Sequence, residues 1–176
     1  MTSGTSHEIQ QSKILFDRIS TFDFGKVVQK YATEHKVSSD TANEILLELK
    51  RWLTLCVLYP ENAYATGGSV DEMWHTFILF TKDYARFCQD IAGVFIHHSP
   101  ELESDDPQAQ KVSAEKMADK MKLLEADYLK YFSSPPPGHI WPGQQGPQPF
   151  ENAFRFLQSM ARKAPEPGLT AQLLSK

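Results

Sequence analysis

The sequence predicts an all-α protein, a single-domain bundle of six or seven helices with a Pro/Gly-rich strap near the C-terminus. Three observations carry that prediction. Apolar residues recur at three- and four-residue steps through most of the 176 residues, the period of one helix face. Alternating strand patterns are nearly absent. The breaks between periodic segments hold Pro60 and Gly93, residues that stop helices.

The elements run in order along the chain. Phe24, Val27, Val28, Tyr31 and Ala32 mark a first helix face. A second helix should begin near Asp40 or Thr41, with Thr41 and Glu44 as a capping box. Its stripe of Ile45, Leu49, Trp52 and Cys56 is widened by Leu46, Leu53 and Val57, which makes it the central helix. Pro60 should end it. After the turn-rich ENAYATGG, Ser69 and Glu72 form a second candidate capping box, with Asp71 in the first turn where the helix dipole favours negative charge. Met73, Trp74, Phe77, Ile78 and Phe80 come next. Thr81 is a fresh N-cap or a local irregularity, and Tyr84, Phe87, Cys88, Ile91 and Ala92 resume the spacing up to Gly93. Val94 to Ile96 is an extended exit.

ELESDDPQAQ, with four acidic residues in its first six, reads as a solvated loop. Met117, Met121, Leu124, Tyr128 and Tyr131 then mark one more helix, closing a helical domain over residues 1–132. In the stretch 133–149, nine of 17 residues are Pro or Gly, which excludes regular structure. Ile140 and Trp141 would anchor this strap on the body, or present it to a protein partner. Residues 150–164 suggest a short last helix and 165–176 a flexible tail.

Composition removes several function classes. With 18 basic against 22 acidic residues, net −4, and no basic stripe interleaved with aromatics, nucleic acid is not the expected partner. Neither is a membrane, because no apolar run approaches 18 residues. The N-terminus lacks the pattern of a secretory signal, and two cysteines read as reduced thiols, so the expected location is cytoplasmic. Phosphate-binding glycine loops, G-x-S-x-G, H-E-x-x-H and C-x-x-C are all missing.

The segment from Val70 to Pro100 holds the chemistry-bearing residues. Asp71 and His75 are four apart, hence neighbours on one helix face, and Tyr84 and Cys88 stand in the same relation. His97 and His98 come just after the second helix. If the two helices pack as a bent pair, Asp71, His75, Cys88 and His97 converge as a candidate metal site. Carboxylate, imidazole and thiolate are the donors that zinc and other first-row transition metals accept. Asp71 could instead fix the tautomer of His75. The competing account is a core-edge histidine and a buried cysteine that acts as a small hydrophobe.

This block, on Val70-Asp71, Trp74-His75-Thr76, Tyr84, Cys88, Gly93 and His97, resembles the glycine-rich domain-containing protein family of plants and small bacterial relatives. Tyr131 and Ile140-Trp141-Pro142 extend the likeness, which is nearest to the short bacterial form without the Gly-rich tail. Plant members usually read Trp-His-Thr-His where Phe77 stands here, which leaves His75, Cys88 and His97 as the matching positions. The resemblance implies a polar Asp/His/Cys/His centre. It does not carry over the RNA binding suggested for plant members, whose tail is missing.

Three functions fit. The first is a small binding or accessory module that takes a protein partner or small ligand, with the polar centre holding a transition metal. The second is a metal-dependent enzyme, with Tyr84 or His98 moving a proton. The third is a buried polar network that only joins helices, with interaction through the strap at Ile140 and Trp141.

Overall fold

Twenty residues from Ser39 to Leu58 form α3, the helix on which the others are assembled. Ala42, Ile45, Leu46, Leu49, Trp52, Leu53 and Leu55 are all buried along it. Such a wide apolar face places a helix at the centre of a bundle. A computed structural model of the chain describes residues 4–98 and 105–141. Among these, α1 (Gly4–Ser20), α2 (Gly25–His35), α4 (Gly68–Leu79) and α6 (Pro107–Phe132) pack on α3, and α5 (Thr81–Arg86) comes after α4. The described residues hold six α-helices and no strand, so the all-α class is correct. All of them lie in the first of the chain's two units, Met1–Trp141. The expected last helix and tail, 150–176, and residues 142–149 of the strap lie outside the described residues.

Several ends differ from expectation. α1 was not anticipated. It buries only Ser12 and Ile19 fully, and its sequence carries no marked apolar stripe. Tertiary links hold it instead: Lys130 Nζ donates to Glu8 Oε2 at 2.8 Å, and Phe16 packs edge-on to Phe132. Neither predicted capping box forms. Ser38, one residue ahead of α3, accepts from the Thr41 N–H at 3.1 Å, and α4 starts from an extended Gly67 with no side-chain cap. Glu72 is engaged elsewhere, accepting from the Tyr31 hydroxyl. Asp106 and Pro107 inside the expected acidic loop begin α6, an acidic N-cap followed by proline at the first helical position.

Two packed clusters complete the core. Phe22, Phe24, Phe77 and Phe87 meet ring to ring at centroid distances of 5.0–5.9 Å. On another face of α3, the buried Glu48 carboxylate accepts from Arg51 at 2.9 Å, from Trp141 Nε1 at 2.9 Å and from the Tyr128 hydroxyl. Ionised carboxylates enter a core only when partnered in this way. Trp141 is fully buried and Ile140 is 4% exposed. These two side chains therefore pack inside the bundle, which suits the expected anchoring of the strap. Among the described residues no helix is long and apolar enough to cross a membrane.

Candidate metal centre and its cleft

The site is built on α4 and on the segment 94–98 that returns beside it. Asp71 and His75 share one face of α4, and His75 Nδ1 lies 3.3 Å from Asp71 Oδ2. The other Asp71 oxygen accepts from the Thr66 hydroxyl. Thr66 is held in reach because Trp52 Nε1, from α3, donates to the neighbouring Ala65 carbonyl at 3.2 Å. A carboxylate with one oxygen taken by Thr66 and the other 3.3 Å from His75 Nδ1 favours the tautomer that carries its proton on Nδ1 and turns the Nε2 lone pair outward.

The return segment is placed by an irregular helix. After α5 the chain widens into a six-residue π turn, Phe87–Ala92, ended by Gly93 at φ +75°. That left-handed conformation suits glycine. The turn delivers Ile96 to Tyr84, whose hydroxyl donates to the Ile96 carbonyl and accepts from Trp74 Nε1 at 3.2 Å. Two residues on, His98 Nε2 lies 2.7 Å from His75 Nε2, and its ring packs edge-on against Trp74 at 5.0 Å. At that distance one ring donates its Nε2–H to the Nε2 lone pair of the other. Asp71, His75 and His98 are the group whose potential ligand atoms all lie within 4.8 Å of one another among the described residues.

The structure brings together two of the four residues expected as ligands. Asp71 and His75 belong to the cluster, and Cys88 and His97 do not. Cys88 is 2% exposed in the core, where burial pushes its thiol up and so keeps it protonated. The i,i+4 relation of Cys88 to Tyr84 reflected the core stripe, because both side chains point inward. His97 is exposed and turns toward Phe95, with ring centroids 4.7 Å apart. His98, considered for proton transfer, joins Asp71 and His75 instead. Tyr84, the other proton-transfer candidate, is 4% exposed, with its hydroxyl committed to Ile96 and burial raising its phenol. It positions the return segment. Phe77 is fully buried in the aromatic cluster.

The centre opens onto a cleft of about 770 Å³, lined by the end of α3, the 60–66 turn, α4, the 94–98 segment and α6. Ligand cavities commonly span about 300–1,000 Å³. His75 and His98 also line a shallower hollow of about 400 Å³ beside His35 and Glu72. The contribution of α6 through Met117 and Lys120 was not legible from spacing, because it depends on how α6 crosses the bundle. Thr66 was missed as well, although a threonine five residues before Asp71 in the preceding turn is a natural partner for it.

No curated protein and no solved structure matches the chain. The profile of the UCP032817-like family matches residues 16–119, which takes in Asp71, His75 and His98, and the chain belongs to that family.

Proposed function

We propose that the chain is a helical binding module that holds a transition-metal ion at the mouth of its cleft, through the Nε2 atoms of His75 and His98, and takes a small ligand there. The observation that carries this reading is the 2.7 Å approach of the two nitrogens, from separate segments, with Asp71 behind one of them. Nitrogens bound to zinc at about 2.0–2.1 Å in tetrahedral geometry lie roughly 3.3 Å apart. A small rotation of either ring, both at the surface, opens the pair to that distance. The remaining coordination positions face the cleft and are free for water or ligand.

Binding is favoured over catalysis by what surrounds the ion. Asp71 is committed to Thr66 and His75, and the Cys56 and Cys88 thiols and the Tyr64 and Tyr84 phenols are all held protonated by burial. None of these is poised as a general base. The likeness of the Val70–His97 block to glycine-rich domain-containing proteins supports a polar centre here, with His98 in the place assigned to Cys88 and His97.

Titration of the metal-free full chain with Co(II) tests this. Visible d–d bands saturating at one ion per chain are expected, with loss of the bands in His75→Ala and in His98→Ala. A featureless titration of the folded wild-type chain would refute the reading.

A further inference from the structure

The cleft has a chemical character beyond the ion at its mouth. Its lining includes Trp52, Tyr59, Trp74, Phe95 and Met117 from four separate parts of the fold; Tyr59 and Phe95 offer ring surface, while Trp52 and Trp74, 2% and 5% exposed, back them from the core. Indole, phenol and phenyl rings together favour a flat apolar body, which they contact edge-on or stacked. A thioether adapts to its outline. Phe95 remains 51% exposed, an uncommon state for a phenylalanine beside a cavity.

Charge supplies the second half of the argument. Lys120, on α6, is the single Lys or Arg among the cleft-lining residues and makes no ion pair among the described residues. Among the described residues, the single carboxylate of the lining, Asp71, is already engaged by Thr66 and His75. The described lining therefore presents one positive charge without an ion pair beside apolar rings. A partner of matching chemistry carries one negative charge on a planar ring system.

We propose that the cleft binds a small planar aromatic carboxylate, its ring on Tyr59 and Phe95 over the buried Trp52 and Trp74, and its carboxylate on Lys120. This deepens the ligand-binding half of the function above, while its ring and lysine contacts are independent of the metal. An added ion would offer the carboxylate a second anchor without altering the class of ligand.

The three tryptophans provide an internal control. Trp52 and Trp74 line the cleft, whereas Trp141 lies away from it with its indole N–H on Glu48. The experiment is an NMR titration of the full chain with 2-naphthoate, first with chelator and then with Zn(II), tracking the three indole N–H resonances. The neutral 2-naphthylmethanol serves as comparator. Saturable shifts of Trp52 and Trp74 with Trp141 unmoved are expected in chelator, at least tenfold weaker for the alcohol. Lys120→Met should lower naphthoate affinity about tenfold, to the level of the alcohol, and leave the alcohol unchanged. Equal affinity for acid and alcohol, an unchanged Lys120→Met chain, or shifts reaching Trp141 as strongly as the other two would overturn the proposal. Because the chelator arm contains no free metal, it fails or succeeds separately from the Co(II) titration.

Discussion

Asp71 does its work through another side chain. Its carboxylate, 3.3 Å from His75 Nδ1, favours the tautomer that leaves the opposite nitrogen as acceptor toward His98. Replacing it by Asn removes the charge that favours this tautomer, and metal affinity should fall about 10–100-fold in isothermal titration while the helical circular dichroism is retained. This pair was legible in the sequence, because residues four apart on a helix must be neighbours. Cys88 obeyed the same rule and was misjudged, since spacing along one helix does not say which face turns to the core. The choice between His97 and His98 could not be made from sequence either. Adjacent residues on an extended segment point to opposite sides, and only the tertiary path decides which meets His75. Glu48 carries a different lesson. A glutamate in an apolar stripe gives no sign that Arg51, Tyr128 and Trp141 converge on it from near and far along the chain. Glu48→Leu strands the Arg51 charge and leaves two donors without their acceptor, so a loss of about 3–5 kcal/mol is expected in urea unfolding.

At the scale of the element, the π turn from Phe87 to Ala92 decides whether a site exists. Wide i→i+5 turns are rare and tend to occur where function needs them. Removing the exposed Gln89 would let the turn close to α geometry and rotate the return segment by about 100°. His98 should then leave His75, and the chain should fold without taking up Co(II), as read by circular dichroism and visible absorption together. The regular helices were legible for a simple physical reason: α2, α3, α4 and the main part of α6 each bury a face, and burial leaves a periodic trace in the sequence. α1 left little trace because it rests on the bundle by a few contacts. The π turn left none, since its residues keep helical spacing and differ only in hydrogen-bond register. The helix starts were misplaced because Ser38 and Gly67, rather than the nearby Thr41 and Ser69, begin α3 and α4. Several polar residues near a start compete for the cap on equal terms.

Across the whole molecule, phenols link α3 and the turn after it to α6. The Tyr59 and Tyr131 hydroxyls bond each other, and Tyr64 donates to Asp127. The hydrogen bond to Tyr131, with burial second, pushes Tyr59 up to about 12. Burial raises Tyr64, Tyr84 and Tyr128 as well. Unfolded tyrosine loses its proton near pH 10, so the unfolded chain releases protons that the folded one still holds. Stability should be intact below about pH 10 and should fall as pH rises toward about 12. Melting temperatures across that range, read beside phenolate absorbance, check the sign. Metal should act in the opposite sense. An ion that binds only the folded chain stabilises it by about 4 kcal/mol at a thousandfold excess over Kd, so the melting temperature should rise with Zn(II) and stay unchanged in the His75→Ala, His98→Ala double variant. The most direct measurement of the central claim compares two neighbouring residues. Native mass spectrometry of the untagged chain with Zn(II) should show one ion bound to wild type and to His97→Ala, and none to His98→Ala. Zinc retained by His98→Ala and lost from His97→Ala would contradict the geometry on which the account stands.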